Sequence, residues 1–532
     1  MQRVIVLPAQ PITIPERQIT SLSDMKRLDH LAMIVHDVGR ICRFLGFVSL
    51  VPFFVLAIFQ EWDMILPMAT APAAFLAVGY LLLLVPARDY EPPISIALVA
   101  VALAWFLLAL IGALPFVFGL GMSYTDSVFE AMSGWTSTGF TMITTVDLTP
   151  KTLLFWRTFM QWIGGIGIIA FGISMRRKTQ VTLFQIFRSE GKPEDLMPNL
   201  MSTGWRMWKI YIFLTCVFTG LIMLAGIPLW DALNLVMVAI ATGGFTLHSS
   251  GLAYYHNPWL EILLIPVMLA GAIPFKLYFL MYRGKMDTLL RDKTVRLLLL
   301  IALAGSIIVS MELYLFNNFE LTTAFRQGVF VSVSGLCTCG LQNSDVHAWA
   351  AIPLAVLSLL VFIGGAMGSM AGGIKVNRVA LAYEGVKWWF RRFFASSRVL
   401  IPFRYEGRML SREMSEMEIS KNMLVIALYV FTIFTATILC LHLYITSFRL
   451  DEVVFECISA LSNSGITVGF ISAASPFAIK WVFIVLMWLG RLEVVPVIIM
   501  VMGISKGIKD ELFSEPPVQA AASTNRIDDE PV

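Results

Sequence analysis

Four short segments of the chain each contain a glycine two positions after a small polar residue. They read SGWTSTGFT (133–141), VAIATGGFT (238–246), SGLCTCGLQ (334–342) and SALSNSGIT (459–467). Glycine permits backbone angles that turn successive carbonyl oxygens in one direction, and it leaves space where several chains meet. Carbonyl oxygens arranged in this way replace the hydration shell of a cation. The segments therefore predict an ion-binding site made of backbone.

The four segments form a repeat when their glycines are placed in register. Gly139, Gly244, Gly340 and Gly465 are separated by 105, 96 and 125 residues, which indicates an internal repeat of about one hundred residues. We predict that the ion is held by three residues of each segment. These are Ser137, Thr138, Gly139, Thr242, Gly243, Gly244, Thr338, Cys339, Gly340, Asn463, Ser464 and Gly465.

The composition of the 532-residue chain indicates a membrane protein. It is 58% hydrophobic and only 14% charged, with a mean hydropathy of +0.77, whereas globular domains carry about 25% charged residues. These values exclude a water-soluble enzyme. The net charge of +3 is too small for a nucleic-acid partner. Six cysteines without a CxxC pair indicate neither a disulfide framework nor a zinc site.

Ten apolar runs are long enough to cross a bilayer, since about 20 residues are needed for each crossing. They lie at 44–60, 66–86, 96–119, 153–175, 210–228, 259–281, 296–316, 350–370, 422–446 and 478–503. Basic residues concentrate in segments 176–209, 283–296 and 375–421, which predicts that these face the cytosol. The predicted class is an all-α polytopic protein of the cell inner membrane, with both termini cytoplasmic.

Each glycine segment lies between two predicted spans on the outer side. A unit with two crossings returns to its starting side, so all four units share one orientation and surround one axis. Non-helical backbone at membrane depth is tolerated only inside protein or beside a water-filled path. We therefore expect four span, re-entrant loop, span repeats around a pore, each with a half-helix whose carbonyl end favours a cation. The predicted units are a cytosolic segment 1–43, a two-span unit 44–95, pore repeats 96–205, 206–290, 291–420 and 421–510, and a disordered tail 511–532.

A run of glycines interrupts the eighth predicted span. It comprises Gly364, Gly365, Gly368, Gly372 and Gly373, with Lys375 close behind. Each glycine weakens a helix by about 1 kcal/mol relative to alanine, so the helix should break there. The break fits either a flexible loop under the pore segments or a close-packed helix crossing.

Several charged residues have two interpretations. Arg491, in the last predicted span, either pairs with Glu493 near the inner interface or projects into a cavity beneath the glycine segments. Glu130 and Glu456 are either functional or hydrogen-bonded to neighbouring backbone. Asp126, Asp231 and Glu452 either cap the half-helices or concentrate cations at the mouth of the pore.

Taken together, the four segments, GGAMGSMAGGIKV (364–376), GRLE (490–493) and QWIGGIGII (161–169) resemble the Trk/Ktr/HKT superfamily of potassium uptake proteins. The resemblance covers about residues 44–505 and is greatest to the bacterial Trk potassium-translocating subunit. It implies that potassium is the substrate, that this chain binds no cofactor, and that the glycine run with Lys375 and Arg491 is the gate. Glycine rather than serine at Gly139 implies discrimination against sodium. A homodimer bound to a cytosolic nucleotide-binding regulatory subunit similar to TrkA is also implied.

Two alternatives to simple conduction remain at this stage. A proton- or sodium-coupled symporter would use the same residues. A membrane-embedded enzyme is the remote alternative, and the sequence contains neither HExxH nor a Gly-x-Gly-Asp motif. We expect that the chain is not an enzyme.

Overall fold

The computed structural model describes residues 16–87, 94–167, 200–285, 287–395, 401–405, 408–494 and 498. The regular secondary structure of the described chain consists of helices and one antiparallel ribbon, in which Phe403 pairs with Leu410. The predicted all-α class is therefore confirmed. The predicted tail 511–532 and most of the basic segment 176–209 lie outside the described residues.

The described helices group into a leading unit and four repeats, and each repeat contains one glycine segment. The leading unit contains α1 (Glu16–Val48), α2 (Pro52–Phe59) and α3 (Ile65–Leu83). Repeat 1 contains α4 (Ile94–Gly112), α5 (Leu114–Leu120), α6 (Tyr124–Trp135) and α7 (Lys151–Ile166). Repeat 2 contains α8 (Leu200–Met223), α9 (Leu229–Ile240), α10 (Pro258–Ala272) and α11 (Phe275–Tyr282). After α12 (Thr288–Arg291), repeat 3 contains α13 (Lys293–Leu315), α14 (Leu321–Leu336), α15 (Ala351–Ile363) and α16 (Val376–Phe394). The ribbon of β1 (Phe403–Tyr405) and β2 (Arg408–Leu410) precedes repeat 4, which contains α17 (Arg412–Leu443), α18 (Leu450–Leu461) and α19 (Phe477–Arg491).

Six described helical stretches are long and apolar enough to cross a membrane, and a seventh is a bent pair. The first of these stretches runs from Asp29 to Phe59, well upstream of residue 44, where the sequence predicts the first span. Charged residues interrupt the apolar run there, so sequence hydropathy does not detect this part of the helix. The structure buries one face of the helix, including Met33, Val38 and Ile41.

The described helices in the second spans of repeats 1, 3 and 4 are shorter than a full crossing. They are α7, α15 and α19, with 16, 13 and 15 residues. The helix break predicted in the eighth span is confirmed, because α15 ends at Ile363 and Gly364 has a φ of 71°. Residues 364–375, called here the glycine loop, are not helical.

The second span of repeat 2 is divided rather than continuous over 259–281. Helices α10 and α11 meet at an angle of 97°. Pro274 stands at the break and has no N–H to continue the ladder, and its ring disfavours helical angles in the residue before it. The bend leaves backbone groups of both helices in need of partners.

The half-helices α6, α9, α14 and α18 are arranged in a closed order. Each packs against the second span of its own repeat and against the second span of the preceding repeat, with α19 of repeat 4 on α6 of repeat 1. In three repeats, a glycine allows the half-helix to lie close to the second span of its own repeat. A Cβ on Gly164, Gly271 or Gly490 would overlap the last helical carbonyl of the half-helix, at Trp135, Ile240 or Leu461 respectively. The four half-helices therefore end close to one axis.

This packing predicts a large loss of stability for Gly164→Ala. The added methyl would force α7 away from the Trp135 carbonyl, and overpacking of this kind costs about 1–3 kcal/mol. Thermal unfolding of the purified protein in detergent should show a clearly lowered midpoint. Gly220→Ala is the control, because a Cβ at this helical glycine meets nothing within 4 Å. Equal unfolding midpoints for the two variants would contradict the packing argument.

Candidate functional site

The same backbone geometry follows each half-helix. The loops are loop 1 (136–141), loop 2 (241–246), loop 3 (337–342) and loop 4 (462–467). In each, the residue before the aligned glycine donates its N–H to the carbonyl five residues earlier, at 2.8–2.9 Å. The preceding polar residue is left-handed in all four, with φ of 54° at Ser137, 52° at Thr242, 49° at Thr338 and 52° at Asn463. The sequence repeat is thus a structural repeat.

The aligned glycines, called here the ring glycines, bring the four loops into a closed ring. A Cβ on Gly139 would lie 2.5 Å from the Gly243 carbonyl, and one on Gly244 would lie 2.9 Å from the Cys339 carbonyl. In the same way, a Cβ on Gly340 would overlap the Ser464 carbonyl. One on Gly465 would overlap the Thr138 carbonyl of loop 1, which closes the ring. Every ring glycine has a positive φ, between 76° and 110°. Any side chain at these positions would push two loops apart.

The polar residue two positions before each ring glycine bonds to the protein around the ring. The Ser137 hydroxyl donates to the Gln161 carbonyl at 3.0 Å, and the Asn463 amide donates to the Met487 carbonyl at 2.8 Å and to the Thr138 hydroxyl at 3.1 Å. These side chains position the loops. The ring itself presents backbone.

Two buried carboxylates hold the outer parts of loops 1 and 4. Glu130 accepts hydrogen bonds from the Met142 N–H at 2.7 Å and from the Thr141 hydroxyl. Glu456 occupies the same place in repeat 4, with the Val468 N–H at 3.0 Å and the Thr467 hydroxyl at 2.5 Å. Of the two sequence interpretations, the structure shows backbone hydrogen bonding.

Arg157, a buried cation on α7, also ties loops together. Its Nε lies 2.6 Å from Glu130, its Nη1 donates to the Thr246 carbonyl at 3.3 Å, and its guanidinium covers the Phe245 ring at 4.1 Å. It therefore links loop 1 to loop 2.

Two of the acids at the half-helix starts, Asp126 and Glu452, make capping contacts, and Asp126 also joins neighbouring repeats. The Glu452 side chain accepts from the Arg449 N–H at 2.7 Å, which is a capping contact. Asp126 accepts from the Ser123 hydroxyl at 2.8 Å and forms an ion pair of 2.5 Å with Lys480 of repeat 4. Both contacts stabilise the outer ends of the half-helices.

A partly exposed acid, Asp147, lies between repeats 1 and 2. Hydrogen bonds from Ser249 and then from His248 lower the pKa of Asp147 to about 2. The His248 ring lies 2.9 Å from the Asp147 carboxylate and stacks on Tyr254. Asp147 therefore keeps its negative charge throughout the physiological pH range.

The glycine loop lies against three of the four ring loops. The Gly372 N–H donates to the Thr338 hydroxyl at 2.6 Å, and the Gly373 N–H donates to the Ser462 carbonyl at 3.2 Å. The Met370 carbonyl accepts from the Thr242 hydroxyl at 3.2 Å. The loop is thus attached to loops 2, 3 and 4.

The glycine loop also satisfies the backbone groups freed by the bend in repeat 2. The Met370 N–H donates to the Gly271 carbonyl at 3.0 Å, and the Ala366 N–H donates to the Ala272 carbonyl at 3.1 Å. In the other direction, the Phe275 N–H donates to the Gly368 carbonyl at 3.0 Å. The bent span and the glycine loop therefore form one hydrogen-bonded unit.

Arg491 joins this unit to repeat 1. Its guanidinium donates to the Met370 carbonyl at 3.3 Å, to the Gly165 carbonyl at 2.7 Å and to the Gly164 carbonyl. The alternative pairing with Glu493 is not found, because Glu493 pairs with Arg378 at 2.5 Å. Lys375 is also held within the loop, where its Nζ donates to the Ala371 carbonyl.

Two glutamines that sequence reasoning did not assign to the site contact the ring loops. Gln161 bonds to loop 2, and Gln342 of loop 3 bonds to Thr467 of loop 4 at 3.1 and 3.3 Å. A polar amide within a predicted span was the available signal at Gln161, since such side chains are costly in a membrane unless they have partners.

Known proteins with the same fold are cation transporters. The TrkH family, described as cation transport proteins, matches residues 68–506. The Trk system potassium uptake protein TrkH of Halomonas elongata is 30% identical over 75% of this chain and 83% of its own length. An uncharacterized cation transporter of Methanocaldococcus jannaschii is 28% identical over 88% of this chain and 94% of its own length.

A solved structure agrees with these sequence relatives. The crystal structure of the potassium transporter TrkH from Vibrio parahaemolyticus superimposes with a TM-score of 0.78 at 25% identity, covering 88% of this chain and 98% of the other. The family match, the relatives and this structure together confirm the resemblance inferred from the glycine segments. The chain belongs to the TrkH family of cation transport proteins and is a multi-pass membrane protein.

Proposed function

We propose that the chain mediates potassium uptake across the cell inner membrane, with the ring as its selectivity filter. The observation that carries the proposal is the closed order of the ring glycines against neighbouring carbonyls. Carbonyl oxygens held at fixed spacing replace the hydration shell of a cation. The relatives named for potassium uptake support potassium as the substrate. The twelve residues predicted from the sequence supply the ion contacts, mainly through their backbone.

The half-helices also favour a cation at the ring. Each ends at the ring with its carbonyl end, which carries a partial negative charge. Asp147 keeps a carboxylate at the outer rim and raises the local concentration of cations. Both effects attract cations in general, so the discrimination among cations rests on the ring.

The glycine loop is proposed to be the gate. The support for this role is its hydrogen bonding to loops 2, 3 and 4 and the Arg491 contacts that join it to repeat 1. Passage then requires the Arg491 contacts to break, because a guanidinium across the path repels a cation. Conduction without a coupled ion is the simplest function of this arrangement.

The decisive experiment measures ion flux in liposomes that contain only the purified protein. Potassium, rubidium, sodium and lithium are compared, with and without a pH gradient. Potassium flux driven by its own gradient supports the proposal. Accumulation that follows the pH gradient, or that requires sodium, would indicate symport instead.

Replacement of a ring glycine should weaken the discrimination against sodium. In Gly139→Ser the added side chain would meet the Gly243 carbonyl, so loops 1 and 2 must separate. We expect the potassium to sodium permeability ratio to fall on the order of tenfold, or about 1.4 kcal/mol. Flux of each ion into proteoliposomes measures the ratio.

Gly121→Ser is the matched control for this substitution. Gly121 also has a positive φ, of 64°, but a Cβ there meets nothing within 4 Å. Its permeability ratio should equal that of the unmodified protein. An unchanged ratio in a folded Gly139→Ser protein would remove loop 1 from the filter.

Removing the guanidinium should open the path. Arg491→Ala loses the contacts that tie Met370 to the carbonyls of Gly164 and Gly165, and we expect severalfold higher potassium flux per folded protein. Arg491→Lys keeps the charge but not the planar fork, so its flux should be intermediate. A stable Arg491→Ala protein with unchanged flux would contradict the gating role.

The proposed assembly is a homodimer that binds a cytosolic nucleotide-binding regulatory subunit similar to TrkA. Basic segments 283–296 and 375–421 supply a positively charged inner face for docking, with both termini on the same side. Light scattering in mild detergent should give the mass of two chains plus detergent. A monomer that also fails to bind a purified TrkA-type subunit would overturn this assembly.

A further inference from the structure

Gln161 contacts two neighbouring ring loops from one position on α7. It is fully buried. Its backbone carbonyl accepts the Ser137 hydroxyl of loop 1 at 3.0 Å. Its side-chain amide reaches loop 2, where Nε2 donates to the Gly243 carbonyl at 2.5 Å and Oε1 accepts from the Phe245 N–H at 3.3 Å. One residue thus holds both sides of the junction between repeats 1 and 2.

The two side-chain contacts enclose a ring glycine. Gly243 and Phe245 are the residues before and after Gly244, so the amide binds both peptide groups that flank it. A primary amide combines a donor and an acceptor in one plane, which neither a carboxylate nor an ammonium group offers. The chemistry of glutamine therefore matches the backbone geometry of loop 2.

The Gly243 carbonyl is also part of the ring, because it faces Gly139 of loop 1. The carbonyls in the same position of the other loops are those of Thr138, Cys339 and Ser464. Within the described part of the chain, these three carbonyls show no hydrogen bond, whereas the Gly243 carbonyl has the Gln161 amide. Gln161 therefore makes one quarter of the ring different from the rest.

We propose that Gln161 is a specificity-determining positioning residue for cation selection by the ring. A carbonyl that already accepts an N–H is less free to move toward an ion and donates less electron density to it. A small cation such as sodium needs carbonyls that move inward and interact strongly, whereas a larger cation needs less of both. The amide thus disfavours sodium more than potassium. This inference rests on the proposed filter function of the ring.

If Gln161 only stabilised the fold, its replacement would lower thermal stability without changing ion selectivity. Loss of two buried hydrogen bonds lowers the thermal unfolding midpoint, whatever the loops do. The matched control is Thr158→Val, one turn away on the same helix. The Thr158 hydroxyl donates to the Asn234 side chain of α9 at 2.6 Å, so it joins the same two repeats away from the ring.

The test compares Gln161→Met with Thr158→Val in proteoliposomes. Gln161→Met keeps the length of the side chain and removes both hydrogen-bonding groups. We expect its potassium to sodium permeability ratio to fall about five- to tenfold, and its half-saturating sodium concentration to decrease. Thr158→Val should lower the thermal midpoint by a similar amount and leave the ratio unchanged. An unchanged ratio in folded Gln161→Met would overturn the inference.

Two further variants keep the outcomes distinct. Gln161→Asn retains the amide on a chain one methylene shorter, which cannot reach both Gly243 and Phe245, so it replaces the Met variant if that protein fails to fold. It too should lose selectivity, and wild-type selectivity in it would count against the proposal. Gly139→Ser tests the filter itself. A shift in Gly139→Ser alone rejects only the role of Gln161, whereas no shift in either variant rejects the filter.

Discussion

The structure depends on the need to pair every backbone polar group that lies at membrane depth. Water is not available there, and an unpaired N–H or carbonyl costs several kcal/mol. Four non-helical loops bring many such groups inside, and the protein supplies partners for them. Glu130 and Glu456 accept N–H groups on the outer parts of loops 1 and 4, and Gln161 binds both peptides around Gly244. In the proposed function, the carbonyls at the ring are the groups left for a cation.

The same requirement joins the proposed gate to a distant bend. Pro274 ends a helical ladder, and the freed carbonyls of Gly271 and Ala272 must find donors. The glycine loop of repeat 3 provides them and returns the Gly368 carbonyl to the Phe275 N–H. A movement of the glycine loop must therefore either break these hydrogen bonds or move α11 with it. The loop and α11 are in this sense mechanically coupled.

The ring is symmetric, but its supports are not. All four loops share one pattern of dihedral angles and hydrogen bonds. Carboxylates hold loops 1 and 4, whereas repeats 2 and 3 carry Leu235 and Val331 at the corresponding positions. Repeat 3 alone supplies the glycine loop, and repeat 4 supplies Arg491. In the proposed function, the repeated backbone of the ring selects the ion, and the unequal supports allow one side of the structure to open.

The sequence by itself determined the features that depend on local chemistry. Ring glycines at positive φ, apolar runs of span length and the helix break at Gly364 are each decided within a few residues, so spacing and composition reveal them. Tertiary structure alone decided the partners. Helix α19 ends at Arg491, Glu493 lies beyond it at a φ of 56°, and Arg378 takes the carboxylate. Gln161 bonds to loop 2, and the glycine loop bonds to the bend between α10 and α11. Both sets of hydrogen bonds join residues about 80 or more positions apart, because they form between groups that only folding brings together.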